Sequence, residues 1–193
     1  MDSRIMKILA FIPAKTDSVR LPKKNLQKIN GKTLIEHSIE YSQKSAHDVT
    51  TIISTEDWDL HSKILMKYAF SSDVYPDMRD PQFCGETEVV DVYLNFINSI
   101  DEPEVFDLFV ALQPDHPDRE HTLDECIAYM VDNNYDDLIM IEENYRRSGS
   151  VRIFKMQHLI DGHVSKRIGT MKDSATDIHY EADLERARIK MKK

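Results

Sequence analysis

Short apolar segments alternate with segments of helical spacing through the first third of the chain. Residues 5–12 form an apolar run that ends at Pro13, which predicts a buried strand. Residues 33–45 and 57–68 carry apolar side chains at helical spacing, and each segment predicts an amphipathic helix. Between them, residues 49–54 are rich in β-branched side chains, which favour a strand. The predicted order is therefore strand, helix, strand, helix.

The same alternation continues to residue 191. Helical spacing recurs at residues 89–100, 122–133 and 181–191, and strand-like runs occur at residues 108–112, 138–141 and 150–155. Strands that alternate with helices predict a mostly parallel sheet covered by helices on both faces, which is a Rossmann-like α/β fold. No internal repeat and no linker interrupts the pattern, so we expect a single domain over residues 1–193.

Residues 14–31 interrupt this alternation with a long polar segment. The segment has no sustained periodicity and is rich in Lys, Asn and Asp. Loops of this length in a compact domain commonly have a function. In open parallel sheets, ligands bind outside the carboxyl ends of the strands. The loops that follow residues 12, 53 and 112 are polar, so we expect them to form one crevice.

The composition is that of a globular protein, with 41% hydrophobic and 31% charged residues. The net charge of −9 argues against a nucleic-acid surface, and no apolar run is long enough to cross a membrane. The two cysteines and the absence of a signal-peptide pattern argue against a disulfide framework, so we expect a cytoplasmic protein.

The acidity is not uniform, because six cationic side chains fall in one N-terminal segment. They are Lys15, Arg20, Lys23, Lys24, Lys28 and Lys32. A compact basic cluster in an acidic protein suits a small polyanion, such as a nucleoside triphosphate, better than DNA. A solvated, lysine-rich loop is the alternative interpretation.

Two neighbouring segments carry a family resemblance. Residues 12–25 read I-P-A-K-T-D-S-V-R-L-P-K-K-N, and residues 31–35 read G-K-T-L-I. They resemble the signature of the acylneuraminate cytidylyltransferase family, I-P-A-R-x-G-S-x-R-L-P-x-K-N followed by G-K-P-L-I. In that family the loop wraps the triphosphate of the nucleotide. The resemblance implies a fold like that of the nucleotide-diphospho-sugar transferases.

The resemblance also implies roles for individual residues. Ser18, Arg20 and Lys24 would contact phosphates, and Asn25 would contact the nucleotide. The implied catalytic residues are Lys24, Arg20 and Asp177. The full set of implied nucleotide-binding residues is Pro13, Ala14, Lys15, Ser18, Arg20, Lys24, Asn25 and Arg79.

Two later segments resemble the same family. Residues 112–119 read L-Q-P-D-H-P-D-R, similar to the family's L-Q-P-T-S-P-L-R, which implies that Gln113 and Arg119 serve the substrate side. There Gln113 would hold the sugar acid and Arg119 would anchor the loop. Residues 177–184 read D-I-H-Y-E-A-D-L and resemble D-I-D-T-x-x-D-L. The first two aspartates of that motif bind Mg²⁺, so the resemblance places a Mg²⁺ site at Asp177 and His179.

The implied reaction is nucleotidyl transfer. CMP would pass from CTP to an acidic sugar, such as a sialic-acid-like sugar or a similar anionic acceptor, and pyrophosphate would leave. The implied partners are therefore CTP and a small anionic acceptor, with Mg²⁺ as cofactor. Whether the chain forms a homodimer is left open, because it is short between Asn144 and Asp177, where the family has an extra segment used in dimer contacts.

The nucleotide and metal motifs depart from the family pattern at several positions. Thr16 and Asp17 stand where the family has a flexible glycine, and Lys15 stands in place of an arginine. A side chain hinders the approach of backbone to phosphate, and a carboxylate repels a triphosphate unless it is paired. His179 replaces a metal-binding aspartate. Because Mg²⁺ prefers oxygen ligands, an imidazole weakens the site or shifts it towards a transition metal.

The motif on the acceptor side is altered as well. Asp115 and Asp118 add negative charge where an anionic sugar carboxylate would lie, which argues against sialic acid itself as the acceptor. His116 and His121 are interpreted as loop residues. Two alternatives therefore stay open. One is a nucleotidyltransferase that uses another nucleotide or a non-sugar acceptor such as a phosphonate, and the other is a catalytically silent nucleotide-binding homologue.

Overall fold

The computed structural model describes residues 4–85, 87–163 and 165–192. These residues contain nine strands: β1 (Lys7–Pro13), β2 (Lys28–Ile29), β3 (Lys32–Thr33), β4 (Asp48–Thr55), β5 (Val74–Met78), β6 (Leu108–Ala111), β7 (Asp137–Ile141), β8 (Arg147–Lys155) and β9 (Ile168–Lys172). The same residues contain six α-helices: α1 (Leu34–Gln43), α2 (Trp58–Lys67), α3 (Val89–Ser99), α4 (Leu123–Asp132), α5 (Met156–Ile160) and α6 (Glu181–Lys190). None of these helices is both long and apolar enough to cross a bilayer.

Seven strands form one sheet in the order β5-β4-β1-β6-β8-β7-β9. All neighbouring pairs run parallel except those that include β8, which is antiparallel to both β6 and β7. A tight turn reverses the chain between β7 and β8, with the Tyr145 amide donating to the Glu142 carbonyl at 3.0 Å. Antiparallel neighbours can be joined by such a short connection, whereas parallel ones need a crossover. The predicted α/β fold with a mostly parallel sheet is confirmed.

Two strands of the sheet were not predicted by the apolar pattern, and one begins earlier than expected. β5 and β9 lie at the two edges of the sheet and are only partly buried. β5 contains Pro76, which an edge strand tolerates because one side of its backbone has no partner. β8 begins at Arg147 instead of residue 150, because its first residues are polar and give no apolar signal.

The two faces of the sheet hold separate apolar cores. Ile8, Ala10 and Ile12 of β1 point to the side that α1, α2 and α4 cover, and Leu9 and Phe11 point to the side of α3 and α5. This is the alternation expected of a strand that is buried on both faces. The predicted helices begin at strong caps: Thr33 and Thr122 each form a capping box with the glutamate three residues on.

Helix α6 belongs to neither face and packs on the long N-terminal loop. Leu184 and Ala187 of α6 are fully buried against Leu21, Ile29 and Leu34. The C-terminal segment thus returns to the edge of the sheet where the strands β1, β4 and β6 end. This packing brings the C-terminal segment into contact with the N-terminal loop and the start of α1.

Candidate active site

A cleft of about 210 Å³ lies at the carboxyl ends of the parallel strands β1, β4 and β6. This is the place where open α/β sheets bind ligands. Seven of the residues predicted from the sequence line it: Pro13, Lys15, Ser18, Lys24, Asn25, Arg79 and Gln113. The side of the cleft next to α3 is formed by residues that were not predicted from the sequence: Phe83, Gly85, Thr87, Val89 and Val92.

Two polar side chains of the N-terminal loop keep hydrogen-bonding atoms unused in the cleft. Asn25 is 4% exposed, and its Nδ2 donates to the Lys15 carbonyl at 2.8 Å. Its Oδ1 is buried and has no hydrogen-bond partner among the described residues, and the same is true of Ser18 Oγ. Buried polar atoms without partners are costly, so Asn25 Oδ1 is suited to accept a hydrogen bond from a bound ligand, and Ser18 Oγ to accept or donate one.

The residues that replace the family's glycine are held by local partners. The Thr16 amide donates to Glu56 Oε1 at 2.7 Å, so this N–H is not available to a phosphate. The Lys15 ammonium lies 3.5 Å from Asp17 Oδ1. Lys15 therefore offsets the carboxylate charge that would otherwise repel a polyphosphate, although both groups are exposed and screened by solvent.

Arg79 fixes the ends of β4 and β5. It is 7% exposed, and its guanidinium donates to the Ser54 carbonyl at 2.8 Å and to Ser54 Oγ at 3.3 Å. Glu56 Oε2 lies 3.7 Å from the same guanidinium. Arg79 lines the cleft while its donors are largely occupied, so it supplies positive charge and rigidity.

Asp115 lies at the centre of an ion cluster in the cleft. Lys24 Nζ donates to its Oδ2, and His116 Nδ1 lies 3.0 Å from its Oδ1. Burial raises the pKa of Asp115, but the hydrogen bonds from His116 and Lys24, together with the charge of Lys24, outweigh burial and hold this pKa well below its usual range. The carboxylate is therefore ionised, and the ammonium of Lys24 is engaged by it.

The C-terminal segment reaches this cluster through the backbone. The Ile178 amide donates to the Asp115 carbonyl at 3.0 Å, which places Asp177 and His179 beside the loop after β6. His179 Nε2 lies 2.9 Å from Asp177 Oδ2, and His116 Nε2 lies 3.9 Å from Asp177 Oδ1. Donor atoms of Asp115, His116 and Asp177 all lie within 4.8 Å of one another.

This donor set does not fit the Mg²⁺ site that the resemblance implies. One oxygen of Asp177 lies 2.9 Å from Nε2 of the His179 imidazole. The next carboxylate, Asp183, caps α6 by accepting from the amides of His179 and Tyr180 at 3.0 and 2.9 Å. Mg²⁺ requires near-octahedral oxygen coordination, and two imidazoles lie around the carboxylates here. The identity of a cation at this place stays a prediction.

Besides Asp177 and His179, three residues predicted for the site do not line the cleft. Ala14 is fully buried and continues the pairing of β1 with β4, its amide donating to the Ser54 carbonyl at 2.8 Å. Arg20 is exposed, with its guanidinium 5.9 Å from the centre of the Tyr180 ring. Arg119 donates to the carbonyls of Ser150 and Gln113 at 2.8 and 2.7 Å. Arg119 is thus positioned to hold the loop beneath the cleft, and it does not line the cleft.

His116 and Gly149 are two further residues beside the site that sequence reasoning missed. His116, interpreted as a loop residue, is 2% exposed and bonded to Asp115. A β-carbon at Gly149 would lie 2.2 Å from Gln113 Oε1, so only glycine lets the Gln113 side chain pass over β8. The available signal was an Asp-His pair placed directly after a strand and a Gln-Pro turn, where a charged pair is more often functional than structural.

Comparison with protein families and individual relatives places these features in context. The family model described as "Cytidylyltransferase" matches residues 9–163. The CMP-N,N'-diacetyllegionaminic acid synthase of Legionella pneumophila is 31% identical over 117 residues, which make up 60% of this chain and 49% of that protein. The matched segment therefore spans about half the length of this relative.

Solved structures share the fold at low sequence identity. CMP:2-keto-3-deoxy-manno-octonic acid synthetase, solved in complex with CTP, matches with a TM-score of 0.70 and 15% identity, covering 96% of this chain and 98% of that one. The 4-diphosphocytidyl-2C-methyl-D-erythritol synthase of Anaerococcus prevotii matches with a TM-score of 0.66 and 13% identity, covering 97% of both chains. At these identities the likeness shows a common fold.

Proposed function

Because the chain belongs to the cytidylyltransferase family, we propose that it transfers CMP from CTP to an acidic sugar or a similar anionic acceptor, with release of pyrophosphate. The observation that carries the proposal is the cleft itself. It brings the cationic loop after β1, with Lys15 and Lys24, against Gln113 and the loop after β6. A triphosphate and an acceptor can therefore meet at one edge of the sheet.

In the proposed reaction, a hydroxyl oxygen of the acceptor attacks the α-phosphorus of CTP. The new P–O bond forms as the bond from the α-phosphorus to the bridging oxygen breaks, and pyrophosphate leaves. Such chemistry asks the protein mainly for positioning and charge neutralisation. Lys24 and Lys15 would neutralise phosphate charge, and the unused Oδ1 of Asn25 and Oγ of Ser18 would hold the nucleotide by hydrogen bonds.

The charges around the acceptor side support an anionic acceptor. Asp115 does not present a free negative charge to the cleft, because Lys24 and His116 bind both of its oxygens. An anionic acceptor would therefore not meet an unpaired carboxylate at Asp115.

The first test is a thermal-shift screen of CTP, GTP, UTP and ATP, each with Mg²⁺, with Mn²⁺ and without a cation. A ligand at a hundred times its dissociation constant adds about 2.7 kcal/mol of stability, which raises the melting temperature by roughly 5 to 10 °C. We expect the largest shift with CTP. A larger shift with another nucleotide would replace CTP in the proposal, and no shift with any of them would contradict it.

The second test measures pyrophosphate release from CTP with a panel of acceptors. The panel contains sialic-acid-like sugars, other 2-keto sugar acids, neutral sugars and phosphonates. We expect turnover with an acidic sugar. Turnover with a phosphonate alone would support the non-sugar alternative, and the absence of turnover across the panel would contradict the proposed transfer.

One observation favours a second candidate, a nucleotide-binding protein without turnover. Lys24 is bonded to Asp115, so the cation needed at the phosphates is already engaged in this structure. In that case CTP would bind but would not be consumed, and Asp177→Ala would leave nucleotide binding unchanged. A large loss of turnover in Asp177→Ala would exclude this candidate.

A further inference from the structure

We propose that His116 and Asp177, with Asp115 orienting the imidazole, form a binding site for a divalent first-row transition cation that binds such ions in preference to Mg²⁺. Only the use of this cation in catalysis rests on the proposed function. The binding itself depends on side chains that are present whether or not the chain transfers CMP. His116 and Asp115 stand where the resembled motif has serine and threonine, so that motif does not supply these two side chains.

The distances suit two ligands of one cation. His116 Nε2 lies 3.9 Å from Asp177 Oδ1, which is too long for a hydrogen bond. Two ligands at about 2.0 to 2.1 Å from a common ion are separated by at most about 4.2 Å, so a small movement lets both atoms contact one cation. A donor atom of Asp115 also lies within 4.8 Å of donor atoms of the other two residues.

The environment of His116 gives an independent indication of a ligand. The side chain is 97% buried, since 3% of it is exposed, and its one hydrogen bond among the described residues is made by Nδ1 to Asp115. Nε2 is left facing Asp177 without a hydrogen bond. Histidines that bind metals commonly donate their other ring N–H to a carboxylate, which fixes the tautomer and directs the free nitrogen at the ion.

The donor types determine the class of cation. Imidazole nitrogen is a good ligand for Zn²⁺, Co²⁺ and similar ions, whereas Mg²⁺ is held by oxygen atoms and water. A second imidazole, that of His179, lies 2.9 Å from the other oxygen of Asp177, and its Nδ1 is buried without a partner among the described residues. The site thus offers nitrogen donors on both sides of one carboxylate, which disfavours Mg²⁺.

The experiment is direct metal binding by the full chain, stripped of metal and without nucleotide. Co²⁺ is the probe, because its visible absorption changes when nitrogen ligands enter its coordination sphere. We expect one Co²⁺ per chain, displaced by an equal amount of Zn²⁺ but not by a hundredfold excess of Mg²⁺. Displacement by Mg²⁺ at equal concentration, or no Co²⁺ binding, would overturn the proposal.

Variants locate the ion. His116→Ala and Asp177→Asn should each weaken Co²⁺ binding at least about tenfold, and Asp115→Asn by about tenfold through the loss of the orienting carboxylate. His121→Ala is the matched control, because His121 lies in the same loop and bonds to the Lys172 carbonyl. Asp177 is 38% exposed, so Asp177→Asn tests the site even where His116→Ala fails to fold.

Unchanged affinity in both His116→Ala and Asp177→Asn would place the ion elsewhere and overturn the assignment. The transferase proposal and the cation-site proposal can be contradicted independently of each other. A CTP-dependent thermal shift without Co²⁺ binding would leave the transferase proposal standing, and Co²⁺ binding without any nucleotide shift would leave only the metal site.

Discussion

Two aspartates, the half-buried Asp115 and the buried Asp136, lie at opposite ends of the strands of one sheet, and the pKa of each is lowered by its partners. Asp136 is 3% exposed and precedes β7, at the edge opposite the cleft. It accepts from Lys155 Nζ at 2.9 Å and from both the Nε and an Nη atom of Arg167, at 3.3 and 2.9 Å. These hydrogen bonds hold the pKa of Asp136 well below its usual range. Asp115 is ionised in the same way by Lys24 and His116.

The two clusters differ in whether the side chains that bind the aspartate can also contact a ligand. Lys155 is the last residue of β8 and Arg167 directly precedes β9. Both cations are paired with the carboxylate of Asp136. Lys24 lines the cleft, where it can move to a phosphate. His116 adjoins the cleft, and its Nε2 faces a second carboxylate, that of Asp177. A lowered pKa therefore does not by itself mark a functional aspartate. The geometry of the partner groups makes the distinction.

The largest expected effect is a difference in turnover between variants of Lys24 and of Lys155. Lys24→Met should lower pyrophosphate release by roughly 10²- to 10³-fold, because one positioned charge at the phosphates is lost. Lys155→Met, the matched change in the other cluster, should leave kcat and KM within about twofold while lowering the melting temperature. Steady-state kinetics and thermal unfolding of both variants check this. An equal loss of turnover in the two variants would contradict the distinction between the two clusters.

The next effect concerns stability. Asp136→Asn should lower the melting temperature on the order of 5 °C, because Lys155 and Arg167 lose a charged acceptor. Nucleotide-induced thermal shifts should be unchanged. Asp132→Asn serves as the control, since Asp132 is exposed at the end of α4. A stable Asp136→Asn protein with weakened nucleotide binding would show that this cluster also serves the ligand.

The pH dependence follows from the direction of the pKa shifts. Because the pKa of Asp136 is lower in the folded state, its contribution is fully present above the unfolded pKa of about 3.9 and is lost as pH falls through the folded pKa. The urea midpoint of the wild type should therefore fall steeply below about pH 4. In Asp136→Asn the fall should be shallower. Parallel curves for the two proteins would contradict the assigned shift.

The smallest expected effect is at the rim of the Asp136 cluster. His158 Nε2 lies 3.9 Å from Asp136 Oδ1, too far for a hydrogen bond, and the side chain is 27% exposed. His158→Gln should change the free energy of unfolding by less than about 0.5 kcal/mol. Chemical denaturation measures this free energy of unfolding. The corresponding change at the other cluster, His116→Gln, should instead alter Co²⁺ binding.

The sequence predicted the elements whose burial leaves a periodic signal. The strands β1, β4, β6 and β7 and the helices α1 to α4 and α6 lie where the apolar spacing placed them. The edge strands β5 and β9 and the direction of β8 were not predicted, because partly exposed strands lack a continuous apolar run and strand direction depends on long-range pairing. For the candidate site, the loop motif placed Lys24, Asn25 and Ser18 at the cleft.

What the sequence did not predict is the set of contacts between distant segments. Nothing in the local pattern shows that Lys24 would bond to Asp115, or that His116 would be buried against Asp177. Arg20 and Arg119 share the motif with cleft residues but lie on its outside and underside. Motif spacing specifies which loop carries the chemistry, whereas tertiary packing decides which side chains face inward.

The backbone hydrogen bond from Ile178 to Asp115 also has a consequence for biosynthesis. A domain generally folds as a unit, and the N-terminal part of the chain is synthesised first. Asp115 is translated before Asp177, so the donor groups of the proposed cation site come together only when the C-terminal segment packs against the loop after β6.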